Sequence, residues 1–200
     1  MKDGTDPVYA KRLHIPEDGA PEIDNLTFHI SFGPPALRWR GVPAFVVPIR
    51  PRYHERLFPE GERQLPLTPS SEPHANAIRK AYLCRASLRQ VRPGDVLYFY
   101  RSRSQEVTVV GVVEDVHVLS EPSAIVRAAG KRTLYSYQDI ESIAENGAEV
   151  LVIGFRQARV LDTPLPYAEL LGAGVLRGAP QTVTRLSEEA ATWLAQKLQL

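Results

Sequence analysis

Residues 93–102, PGDVLYFYRS, followed five positions later by residues 107–119, VTVVGVVEDVHVL, decide how this chain is read. Pro93 and Gly94 supply a turn. From Val96 to Arg101 residues of high β propensity follow one another with no helical period, which predicts a strand. Alternation along it puts Tyr98 and Tyr100 on one face and Phe99 and Arg101 on the other. The second run predicts a neighbouring strand. Tyrosines, an arginine and the hydroxyl of Ser102 at one strand end are groups suited to gripping something flat and polar.

Outward from this centre, the chain has 200 residues, 44% hydrophobic and 24% charged, as in an ordinary globular protein with one substantial core. A formal charge of +1 gives no global electrostatic pull toward nucleic acid, so any basic surface must come from local clustering. The single Cys84 cannot form an internal disulfide, and no apolar run approaches the roughly 18 residues of a membrane span. With no secretory signal pattern, the expectation is a cytoplasmic protein that does not enter a membrane. His14, His29, His54, His74 and His117 are dispersed without metal spacing, so neither metal nor cofactor is expected. Cys84 reads as a small buried hydrophobe.

Residues 1–35, rich in Asp, Glu, Gly and Pro, read as an extension or linker with one short β-like piece at residues 26–32. Residues 42–49 (VPAFVVPI) predict a strand whose two prolines suit a sheet edge or a strand end better than a sheet centre. A helix is expected over residues 73–85, where Ile78, Ala81 and Tyr82 recur at i, i+3 and i+4. Ser120 and Ser136 would cap two short helices, with Gly130 closing the first. Residues 149–161 (EVLVIGFRQARVL) predict a second strong strand covered on both faces in its first half. Ser187 would cap a last helix with Ala190, Trp193, Leu194 and Leu198 in one stripe. The order predicts an α+β domain at residues 36–200 whose mixed or antiparallel sheet curls into a small pseudobarrel with helices around it.

Three groups of residues could carry chemistry. Tyr98, Tyr100, Arg101 and Ser102 offer stacking faces, a guanidinium and a hydroxyl, although Tyr98 serves equally well as core. Lys131, Arg132, Thr133 and Tyr135 place two cations beside a hydroxyl and an aromatic, which suits phosphate contact or simply a solvated surface. Asn76 and Gln181 carry amides able to read a base edge or to fix a turn. His54, with Tyr53 and Glu55, fits one helical turn that directs Leu57 and Phe58 inward.

From about residue 44 to residue 199 the chain resembles the PUA-like superfamily, and in particular the EVE domain and its YTH and ASCH relatives. The resemblance rests on ANAIRKAYLCRASLRQVRPGDVLYFYRS (residues 75–102), VVGVVEDV (residues 109–116) and LLGAGVLRGAPQTVTRLSEEAATWL (residues 170–194), in that order. PAFVVPIRPRYHERLFP (residues 43–59) and KRTLYS (residues 131–136) are similar to the subset of such domains that follow an acyl-CoA N-acetyltransferase, so that residues 8–13 (VYAKRL) would be the end of such a neighbour. The acetyltransferase's Gly-rich pyrophosphate loop is absent. Arg101 stands where EVE domains carry His, and Thr182 where they carry Ser.

The resemblance implies a pseudobarrel with a pocket for a flipped, often modified, base in RNA or DNA. Binding would use Tyr98, Tyr100, Arg101, Ser102, Lys131, Arg132, Thr133, Tyr135, Asn76 and Gln181, without catalysis. It also implies an alternative: some ASCH relatives hydrolyse modified nucleosides with a Lys, a Thr and a Glu, for which Lys131, Thr133 and Glu114 or Glu149 are the candidates here.

Overall fold

A computed structural model describes residues 23–59, 77–85 and 88–200. Its elements are α1 (Asn25–Phe32), β1 (Ala44–Ile49), α2 (Pro51–Leu57), β2 (Arg79–Cys84), β3 (Val96–Arg101), β4 (Glu106–Leu119), α3 (Pro122–Ala129), α4 (Tyr137–Ile143), β5 (Val150–Pro166), α5 (Tyr167–Gly172), β6 (Thr184–Arg185) and α6 (Glu188–Lys197). A short 3-10 turn, Gly130–Arg132, follows α3. The architecture is α+β, as expected.

One six-stranded sheet runs in the order β2-β5-β4-β3-β1-β6. Among the described residues only β1 and β3 pair in parallel; the other ladders are antiparallel. The long strands β4 and β5 slip register at three points, Val107/Val109, Val110/Gly111 and Val113/Asp115. Each bulge adds local twist and bend. Gly111 lies at one of them because a Cβ there would stand 3.0 Å from the Phe155 ring and 3.2 Å from the Arg156 carbonyl. The bent sheet wraps around a core of Phe45, Val47, Phe58, Leu97, Phe99, Val109, Ile153 and Phe155, with Phe58, Phe99 and Phe155 in mutual ring contact.

The curl stops short of a barrel. β2 and β6 are the sheet's two ends, and no ladder joins β2 to β1. A side chain spans that gap instead: the Tyr82 hydroxyl donates to the Pro48 carbonyl at 2.8 Å.

Three expectations are overturned. Glu121, not Ser120, is the N-cap of α3, which Pro122 opens without a side-chain cap. Residues 79–84 form strand β2, not the last turns of a helix, and pair with Leu151–Arg156 of β5. Ala81, Tyr82 and Leu83 are consecutive and all buried, Tyr82 toward the Phe99 core and Ala81 and Leu83 toward α3 and α4. A strand covered on both faces has no alternation to read, and the i, i+3, i+4 coincidence misleads. The earlier part of that expected helix, residues 73–76, lies outside the described residues. Residues 26–32 are helical, not β-like. Asp24 caps α1 by accepting from the Thr27 N–H, and Gly33, at φ +108°, ends it. This helix is fastened to the body: the Asn25 amide donates to the Gly94 carbonyl at 2.6 Å and accepts from the Arg38 N–H at 2.7 Å.

On the outer side of the sheet, Tyr98, Tyr100, Leu161 and Leu165 meet Leu170 of α5 and Leu194 of α6 in a second core. Ser187 caps α6 and Ser136 caps α4 through a reciprocal pair with Asp139, as expected from sequence. Among the described residues no helix is long and apolar enough to cross a membrane.

Candidate functional site

The gap between β1 and β2 opens into a cleft of about 480 Å³. Its banks are Pro48, Ile49 and Arg50 at the end of β1, and Tyr82, Leu83, Cys84 and Arg85 at the end of β2. Tyr53 of α2, Tyr135, the end of α4 at Ser142 and Ile143, the turn of Ala179, Pro180 and Gln181, and Ser102 complete the walls. Each wall follows from the local fold. Pro51 starts α2 immediately after β1, which turns Tyr53 back over the strand end. Capping by Ser136 fixes α4, and the Arg85 guanidinium holds the far end of that helix through the Ser142 carbonyl (2.9 Å) and the Ile143 carbonyl (2.5 Å).

Aromatic and cationic groups define the chemistry. Tyr53 and Tyr135 lie with ring centroids 4.8 Å apart, tilted by 39°, and Tyr53 carries the Arg52 guanidinium 4.4 Å from its centroid. Burial holds the Tyr82 and Tyr135 phenols above their ordinary range, and the positive charge of Arg50 partly opposes this at both. Both are therefore neutral hydroxyls at physiological pH. Burial likewise pushes the Cys84 thiol up to about 12, so it is no thiolate nucleophile. Among the described residues the walls hold two arginines and no carboxylate.

Of the residues singled out from sequence, Tyr100, Ser102, Tyr135 and Gln181 border this cleft. Tyr100 does so with most of its ring buried in the second core against Tyr167. Ser102 donates its hydroxyl to the Ile49 carbonyl at 3.2 Å, and the Gln181 amide donates to the Ala179 carbonyl at 3.3 Å.

The other positions are elsewhere. Tyr98 is 1% exposed and belongs to the core under α5 and α6, because alternation that keeps Phe99 inside the curl sends Tyr98 to the outer side. Arg101 turns along the hairpin to pair with Glu106 at 2.5 Å and Ser104 at 2.7 Å. Lys131 is exposed outside the cleft walls. Arg132 points to β4, where it meets Asp115 at 2.8 Å, and it also holds the Ala128 and Ala129 carbonyls at the end of α3. Thr133 accepts from the Tyr135 N–H at 3.3 Å and serves the turn. Asn76 lies outside the described residues.

None of the four residues of the hydrolase alternative, Lys131, Thr133, Glu114 and Glu149, lines the cleft. Glu114 pairs with Arg79, Arg132 and Arg156 on β4 and its surroundings, and Glu149 pairs with Arg89. Sequence reading missed Arg50, Tyr53, Arg85 and Ser142 as wall residues. The Arg50-Pro51 step from a strand straight into a helix was the available signal for the first two. Arg85 and Ser142 become neighbours only once 79–84 is a strand.

No family model and no curated protein matches the chain. Among solved structures, it is similar to the ASCH protein of Zymomonas mobilis, with TM-score 0.59 at 14% identity over 76% of this chain and 94% of that one. The S128A mutant of the same protein aligns with TM-score 0.59 at 13% identity over 77% of this chain and 95% of the other. At such identity the likeness establishes the fold alone: the chain shares the α+β fold of that ASCH protein.

Proposed function

We propose that the chain is a nucleic-acid-binding module that admits one base, plain or modified, into the cleft between β1 and β2. The observation that carries this reading is the composition of the walls: four tyrosines and two arginines, with no carboxylate among the described residues. Stacking on an aromatic ring contributes roughly 1–3 kcal/mol per base, and guanidinium groups serve phosphate and base acceptors alike. A volume of about 480 Å³ falls within the range of small-ligand clefts. The ASCH-like fold agrees with the reading, as do the quoted EVE-like segments; an acetyltransferase domain as neighbour rests on residues 43–59 and 131–136 alone, and a boundary near residue 36 on the composition of residues 1–35 alone. Binding without turnover is favoured because Lys131, Thr133, Glu114 and Glu149 all stand away from the cleft walls.

The test is fluorescence anisotropy with labelled RNA and DNA single strands carrying plain and modified bases. Tyr135→Ala is expected to weaken the best ligand by roughly 1–3 kcal/mol, the worth of one stacking contact. Equal binding by the variant and the unaltered chain removes the cleft from consideration.

A further inference from the structure

The two arginines of the cleft are not equivalent. Arg85 is held by backbone through two donors of its guanidinium: its Nε donates to the Ile143 carbonyl and its Nη2 to the Ser142 carbonyl. Those bonds tie β2 to the end of α4 and make Arg85 part of the wall. Arg50 sits on the opposite bank, exposed, with no hydrogen bond or ion pair from its guanidinium among the described residues. The neighbouring polar groups already have partners within the protein: Tyr82 with Pro48, Ser102 with Ile49, the Gln181 amide nitrogen with Ala179, and the Arg52 guanidinium with the Tyr53 hydroxyl and ring. An exposed, unengaged guanidinium beside aromatic walls is suited to one anionic group attached to a planar one.

Resting on the reading above, we propose that Arg50 is the residue that anchors a phosphate of the strand whose base enters the cleft, while Arg85 positions the wall and contacts no phosphate. The ligand is therefore a single strand engaged through one nucleotide, not a bare nucleoside. Neutralising one phosphate of a single strand contributes about 0.7 to the slope of log affinity against log salt. That slope separates a charge contact from a structural one.

The experiment measures anisotropy of short labelled RNA and DNA single strands between about 50 and 200 mM salt for the unaltered chain, Arg50→Ala, Arg50→Lys and Arg85→Ala. Arg50→Ala is expected to weaken binding and flatten the slope by about 0.7, and Arg50→Lys to restore the slope. Arg85→Ala is expected to lower the melting temperature and the affinity with the slope unchanged. An unlabelled nucleoside is expected to compete less well than its 5′-monophosphate for the unaltered chain and equally for Arg50→Ala. An unchanged slope in Arg50→Ala, or a slope lost equally in Arg85→Ala, overturns the assignment while leaving base capture standing. Absence of any binding by the unaltered chain overturns the base-capture reading itself.

Discussion

Tyr82 and Pro48 meet across a gap that no backbone ladder closes: the phenol of β2 donates to the carbonyl of β1 at 2.8 Å. Three strands, β5, β4 and β3, lie between them in the sheet. Tyr82→Phe keeps the ring against Phe99 and removes the hydroxyl, with its bond to Pro48 and its weaker contact with the Cys84 thiol. It is expected to cost about 0.5–1.5 kcal/mol in urea denaturation, the usual net value of such a bond. A loss near zero would mean that packing alone holds the two banks together.

Gly154 lies opposite Asp115 in the β4–β5 ladder, where a Cβ would collide with the Asp115 carboxylate. Asp115 is also the partner of Arg132. Gly154→Ala is expected to destabilise by about 1–3 kcal/mol, the common range for overpacking. Adding Asp115→Ala removes the obstacle, so the double variant should be less impaired than the sum of the two single ones. Strict additivity in the double-mutant cycle refutes the collision.

Two buried groups set opposing pH dependences. Burial lowers His54 from 6.5 to about 4, so the fold favours its neutral form, and the stability this represents is complete above pH 6.5 and lost as pH falls toward 4. Burial raises Asp95 from 3.8 to about 6, so the fold favours the protonated acid, and that contribution is present below pH 3.8 and lost as pH rises to 6. Each shift corresponds to about 3 kcal/mol at most. The wild-type curve should therefore be flattened between pH 4 and 6, and Asp95→Asn should expose a steeper fall on acidification. Urea midpoints across that range decide it; parallel curves for the two proteins count against the Asp95 assignment.

Lys131 and Arg132 adjoin in sequence and separate in role. Arg132 holds Asp115 and the last carbonyls of α3, so Arg132→Ala is expected to lose about 1–3 kcal/mol of stability. Lys131, exposed outside the cleft, is expected to change neither stability nor oligonucleotide affinity when replaced by Ala. Loss of affinity in Lys131→Ala, with the melting temperature intact, would place the binding surface elsewhere.

Cys84 borders the cleft, yet burial pushes its thiol up to about 12. Alkylation by iodoacetamide at pH 8 should be slow in the native protein and rapid in denaturant. Prompt native labelling would show a thiol with more thiolate character than this environment allows.

Much of the fold was legible because its signals are local. The Val96–Arg101 strand, the strands through 107–119 and 150–161, and the serine caps of α4 and α6 all announce themselves within a few residues. The alternation that separates Tyr98 and Tyr100 from Phe99 was legible too, and the two cores divide along it. Which face opens to a ligand was not, because that depends on where the curl stops. The same non-locality hid strand β2, whose buried Ala81, Tyr82 and Leu83 imitate a helical spacing, and with it the neighbourhood of Arg85 and Ser142. Arg101 was drawn away by Glu106, its register partner across the hairpin, a pairing that depends on the length of the turn.

The unclosed curl has a mechanical consequence. Its two banks belong to strands separated by three others, so a guest that grips both fastens the β2 end of the sheet to β1, as a pin fastens a hinge. Occupancy and heat resistance then rise together, by RT ln(1 + [L]/Kd) for a ligand that binds only the folded chain. Melting curves taken against a panel of nucleotides would thus identify the guest directly, with no need to know its chemistry beforehand.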